Sequence, residues 1–81
     1  MPSFKFGVKV MPREVILDTQ GRAVEQVLKN MDLTVDRCRV GRYVEIEVPA
    51  ANQQAAEEKV RQMAKTVLSH PLIEDFYIQS L

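Results

Sequence analysis

The sequence predicts a small α+β domain of β-α-β-α-β order, and three observations carry that prediction. Phe4, Phe6, Val8 and Val10 alternate with Lys5, Gly7 and Lys9, the period of two of a strand with one buried face. Apolar residues at helical spacing recur twice, in residues 23–31 and 56–68, each time behind a residue suited to cap a helix. Alternating β-branched and aromatic residues fill the stretches after each helix. Together they call for a two-layer relative of the ferredoxin-like fold, one sheet with two helices on one face. At 81 residues the chain makes a single domain, residues 1–81. A domain of this size buries only about 60% of its unfolded surface, so association between subunits would add much to its stability.

The first strand closes at Pro12, which cannot donate to a sheet ladder. Residues 13–17, ending in the apolar Val15-Ile16-Leu17, carry the chain to Asp18. The Asp18 carboxylate suits an N-cap, because it accepts a hydrogen bond from a free first-turn N–H and its charge matches the positive helix end. Gly21 is costly in that first turn, by about 0.5 to 1 kcal/mol relative to alanine. Either the backbone bends there or something approaches it closely. Ala23, Val24, Val27, Leu28 and Met31 form one stripe of the helix, leaving Arg22, Glu25, Gln26 and Lys29 toward water. Asn30 or Asp32 takes the left-handed conformation that stops the last turn.

Thr34 to Val48 reads as the second strand region. Cys38, Val40, Val44, Ile46 and Val48 share one parity; Arg37, Arg39, Tyr43, Glu45 and Glu47 share the other. A two-residue hairpin at Gly41-Arg42 would place glutamates on the buried face, whereas one long strand, bent or bulged at Gly41, keeps the apolar parity intact. The long strand is the favoured reading and the hairpin the alternative. Such a strand would run about 45 to 50 Å, too long for one small protomer to cover, and predicts a long central second strand used in dimerisation.

Pro49 ends that strand and Asn52 caps the second helix, whose stripe is Ala56, Val60, Met63, Ala64, Val67 and Leu68. Pro71 stops it by pushing His70 out of helical geometry. Leu72, Ile73, Phe76 and Ile78 build the last strand.

Eleven basic and eleven acidic side chains cancel, so no global field draws the chain to nucleic acid or to an anionic membrane. No apolar run spans a bilayer, no secretory leader is evident, and one cysteine fits a reducing cytoplasmic setting. With Cys38 and His70 the only residues of their kinds, no cysteine–histidine pair or metal cluster of these ligands is spaced in the sequence. Cys38 reads as a small core residue and His70 as a polar helix end. Gly7, Gly21 and Gly41 are too far apart for a phosphate loop, and Asp18 would repel an anion at the helix start. Arg37, Arg39 and Arg42 cluster, with Glu45 and Glu47 as their expected cross-strand partners. The residues alone describe a module without a catalytic kit.

Three segments read together carry more: Val15-Ile16-Leu17-Asp18-Thr19-Gln20-Gly21-Arg22-Ala23-Val24, then Val35-Asp36-Arg37-Cys38-Arg39-Val40-Gly41-Arg42-Tyr43-Val44-Glu45, then His70-Pro71-Leu72-Ile73-Glu74-Asp75-Phe76. In order and spacing they resemble the PurS family, the small subunit of phosphoribosylformylglycinamidine synthase. Thr19, Arg42 and His70 stand where that family often has proline, lysine and asparagine. The resemblance implies a subunit, without an active site or bound cofactor of its own, of a complex that converts formylglycinamide ribonucleotide, glutamine and ATP into formylglycinamidine ribonucleotide, glutamate, ADP and phosphate. The uncovered long strand predicts a homodimer or dimer of dimers, and the resemblance implies that it joins the glutaminase subunit to the large synthetase subunit and supports ammonia transfer. It gives Asp18, Gln20, Gly21, Arg39, Gly41, Arg42 and Glu45 the role of subunit-contact candidates. The competing class is an amino-acid-sensing regulatory domain, which fold alone does not exclude.

Overall fold

Strand β1 (Ser3–Pro12) is the middle of a three-stranded sheet of order β2-β1-β3, in a computed structural model that describes residues 1–14 and 18–81. Val15, Ile16 and Leu17, expected to lead the chain into the first helix, lie outside the described residues. Helix α1 (Thr19–Asn30) follows, then β2 (Arg42–Pro49), α2 (Gln53–Met63), a π-helical turn (Ala64–Leu68) and β3 (Glu74–Ser80). Both edge strands pair antiparallel to β1, with Phe6 opposite Ile46 and Val8 opposite both Val44 and Ile78. This is the expected α+β class in the expected order.

The alternating pattern of β1 is realised: Phe6, Val8 and Val10 are fully buried, while Lys5 and Lys9 stay exposed on the other face. Val48 and Ala50 extend that core, α2 lays Ala56 and Val60 on it, and the π turn adds Ala64. Asn52 caps α2 as expected, its side-chain oxygen accepting the Ala55 N–H at 2.8 Å. The helix does not keep its 3.6-residue stripe to the end. In the π turn the Ser69 N–H donates to the Ala64 carbonyl, five residues back, and the buried Ser69 hydroxyl donates to the same oxygen at 2.8 Å. That wider turn rotates Val67 out to 77% exposure and leaves Leu68 packed against the core, so the predicted inward position of Val67 is corrected.

Three further expectations change. The second strand is neither long nor central: β2 starts at Arg42 and forms an edge, and residues 34–41 reach it as an irregular return arm, neither a hairpin nor a bulged strand. Cys38 therefore sits, half-buried, in that arm and not on a strand face. The last strand starts at Glu74; Leu72 and Ile73 belong to a turn in which Ile73 and Glu74 donate their N–H groups to the His70 carbonyl.

The third change concerns the helices. Only α2 packs closely on the sheet, whereas the stripe of α1 stays open, with Val24 40%, Val27 56% and Met31 63% exposed. Because Val10 pairs with Arg42, β1 and β2 are neighbours at the place where the chain departs and returns. Helix α1 and the return arm thus form a lobe projecting from the end of the sheet. The chain measures 52 × 25 × 15 Å, with a radius of gyration of 16.1 Å against about 12 Å for a compact chain of this length.

The π turn is testable against the regular stripe. Val60→Ala should cost about 2 kcal/mol, from lost burial and a cavity under α2, while Val67→Ala should stay within about 0.5 kcal/mol. Urea denaturation at one fixed protein concentration measures both, and equal losses would mean that Val67 packs inward after all.

Candidate functional site

The neck of the lobe is held by one carboxylate. Asp18 caps α1 through Oδ1, which accepts the Gly21 N–H at 2.8 Å, and its Oδ2 accepts the Val40 N–H of the return arm, also at 2.8 Å. These two hydrogen bonds, the Gly21 one foremost, hold the Asp18 carboxyl below its ordinary value of 3.8. One turn further along α1, Glu25 accepts the Cys38 N–H at 2.6 Å. The arm is therefore fastened to the helix by two carboxylates that take its backbone donors, as a neighbouring strand would otherwise do.

Gly21 is explained by that closeness. A Cβ there would strike the Cys38 carbonyl oxygen, and would lie 2.5 Å from Asp18 Oδ2. What approaches the first turn is the chain's own arm. Gly41 answers the same need at the other side of the neck, where a Cβ would meet the Val10 carbonyl and the Met11 sulfur of β1. At the far end of α1, Asp32 takes the left-handed conformation (φ 61°), and the Leu33 N–H returns to the Leu28 carbonyl at 2.8 Å.

Charge closes the neck from outside. Arg39 donates to the Pro12 carbonyl and lies 3.3 Å from Glu14, which also takes Arg37 at 2.5 Å. The Arg37 hydrogen bond, then the charges of Arg37 and Arg39, hold the Glu14 carboxyl below its usual range. Arg42 turns elsewhere, pairing with Glu74 through two contacts of 2.6 and 2.8 Å and donating to the Leu68 carbonyl that ends the π turn. That pair lowers the Glu74 carboxyl, chiefly through the Arg42 hydrogen bond. The expected pairing of the arginines with Glu45 and Glu47 is thus replaced by pairs with Glu14 and Glu74.

Of the seven candidates, the structure brings Asp18, Gly21, Arg39 and Gly41 together at the neck. Gln20 is exposed on the first turn of α1, Arg42 belongs to the Glu74 pair, and Glu45 lies opposite Gly7 on β2. Glu14 and Glu25 were not among the candidates; Glu14 follows a strand end with no periodic signal, and Glu25 reads as a solvent-facing helix residue.

A family model described as PurS, phosphoribosylformylglycinamidine (FGAM) synthase, matches residues 5–81. The chain belongs to the PurS family. The PurS subunit of Thermotoga maritima is 33% identical over 82 residues, spanning 100% of both chains. In the structure of PurLQS from the same organism, the matching chain superposes with a TM-score of 0.92 at 32% identity, over all of both chains. PurS of Thermus thermophilus gives 0.83 at 37% identity, over 99% of each. The chain is accordingly a PurS-family subunit of the FGAM synthase of purine biosynthesis, and its β-α-β-α-β architecture is that of the PurS structures.

Two substitutions probe the neck. In an open first turn Gly21→Ala should stabilise by about 0.5 to 1 kcal/mol; against the Cys38 carbonyl it should destabilise by at least about 1 kcal/mol. Thermal melts followed by circular dichroism give the sign, and a gain in stability would contradict the close approach. For Asp18, the folded carboxyl holds its proton less tightly than the unfolded one. Its contribution is therefore whole above the unfolded value and is lost as pH falls through the lower folded value. Asp18→Asn should lower the melting temperature at pH 7 and flatten its decline below about pH 4; an unchanged acid limb would rule out Asp18 as its source.

Proposed function

We propose that this chain is the non-catalytic adaptor of the synthase, joining its glutaminase and synthetase subunits and supporting ammonia transfer from one to the other in the cytoplasm. The supporting observation is the full-length match to a chain of the PurLQS structure, with no segment of either chain left over. The residue chemistry agrees: Cys38 lies in the return arm and His70 in the turn before β3, each the only residue of its kind. ATP and glutamine are then used by the other subunits, and this chain binds no cofactor. Among the described residues no helix is long and apolar enough to cross a membrane.

The adaptor works as a homodimer or dimer of dimers. The eight-residue β2 removes the argument from strand length, and the exposed stripe of α1 replaces it. Each fully buried valine or methionine side chain contributes about 1.5 to 3 kcal/mol, so covering Val24, Val27 and Met31 by a second copy favours association by several kcal/mol.

Three measurements check this reading. Omitting the chain from a reconstituted synthase should abolish glutamine-dependent product and spare synthesis from free ammonia; loss of both would place the chain in the chemical step. The purified chain should release neither glutamate from glutamine nor phosphate from ATP above background. Val27→Asp with Met31→Glu should raise the dissociation constant of self-association at least about 100-fold by sedimentation, roughly 3 kcal/mol; unchanged assembly would move the interface off α1.

A further inference from the structure

The groove between α1 and the return arm, about 730 Å³ in volume, has a charge that its own ion pairs do not absorb. Its cationic lining is Arg13, Arg22, Lys29, Arg37 and Arg39, and its carboxylates are Glu14, Asp18 and Glu25. Five cations against three anions leave a balance of +2 in the lining, and of +1 once the Asp75 that pairs with Arg13 is counted, in a chain whose formal net charge is zero. All three carboxylates already accept hydrogen bonds within the chain: Glu14 from Arg37, Asp18 from the Gly21 and Val40 N–H groups, Glu25 from the Cys38 N–H. Arg13 is turned to Asp75 and to the Pro71 carbonyl. Among the described residues Arg22 and Lys29 enter no ion pair. Seven residues apart, they stand on one side of α1 about 10.5 Å from each other along its axis.

We propose that this groove docks an acidic segment of a partner subunit, two of whose carboxylates meet Arg22 and Lys29; the proposal rests on the adaptor reading. A phosphate ligand suits the groove less well. Phosphates at helix starts rely on free backbone N–H groups, and here the Gly21 N–H is taken by the Asp18 carboxylate and the Arg22 N–H by the Asp18 carbonyl. The two unpaired cations stand about 10.5 Å apart along the helix, so two separate carboxylates of one segment meet them more readily than a single phosphate does. Thr34 and Val35 supply a partly apolar wall for the segment's backbone. Val27 and Met31 lie on a different side of the helix from Arg22 and Lys29, so a second copy and an acidic segment occupy α1 together.

The test uses the full chain and a fluorescein-labelled octaglutamate peptide as probe, read by anisotropy at low salt. Arg22→Glu with Lys29→Glu should weaken binding at least tenfold, and the neutral pair Arg22→Gln with Lys29→Gln should weaken it by a smaller factor while circular dichroism stays unchanged. Lys59→Glu with Lys65→Glu, the same charge change on α2 and the π turn that follows it, should stay within twofold of the parent. Equal loss in that control, or displacement of the peptide by inorganic phosphate at matching concentration, overturns the proposal. Co-sedimentation with the synthetase and glutaminase subunits separates the two readings. If the unaltered chain assembles with neither, the adaptor reading fails; if it assembles and the Arg22→Glu, Lys29→Glu pair assembles equally well, the groove proposal fails alone.

Discussion

A single carboxylate, that of Asp18, joins the start of a helix to an arm that is distant in sequence, and the lobe depends on that junction. The Asp18 oxygens accept from Gly21, three residues on, and from Val40, twenty-two residues on. The first bond begins α1; the second decides where the chain comes back. Everything near it is shaped to let the arm approach. Gly21 has no side chain to hold the Cys38 carbonyl away, and Gly41 lets the chain pass β1 closely before β2 pairs with it. The ion pairs of Arg37 and Arg39 with Glu14 lie outside this junction and are half-exposed or more on the Glu14 side, so they add orientation more than strength.

Much of the fold was legible because local and long-range requirements agree. In β1 the strict alternation of Phe4, Phe6, Val8 and Val10 matches a strand covered on one face, and both capping residues act where a cap was expected. The boundary of β2 was not legible. Cys38 and Val40 carry the apolar parity of Val44, Ile46 and Val48, so an arm bound by side-chain carboxylates reads as more strand. Periodicity records which residues avoid water, not which groups satisfy the backbone. Val67 was misplaced because a π turn changes the period inside one helix, and the Ser69 hydroxyl that accompanies it leaves no periodic mark. Of the candidate site, Asp18 and Gly21 were found from helix-start chemistry, while Glu14 and Glu25 become meaningful only once the arm lies beside α1.

The stripe of α1 illustrates the same limit from the other side. Its spacing was read correctly as apolar, yet within the protomer the helix turns Gly21, Glu25 and Leu28 toward the arm and leaves Val24, Val27 and Met31 outside. A sequence pattern identifies a face that needs covering and is silent on which chain covers it. One helix thereby offers an apolar face and a cationic one.

The lobe between β1 and β2 also sets how the chain must fold. The nearest partners in that pair, Val10 and Arg42, are 32 residues apart, and β1 and β3 are farther still, beginning with Pro12 and Glu74. No sheet hydrogen bond is therefore available to a short hairpin. Closing a loop of that length costs about 2 kcal/mol more chain entropy than closing one of four residues, from three doublings at roughly 0.6 kcal/mol each. High contact order of this kind slows a two-state search. The Asp18 to Val40 bond spans 22 of those 32 residues, so any state that holds this junction before the sheet has a much shorter loop left to close.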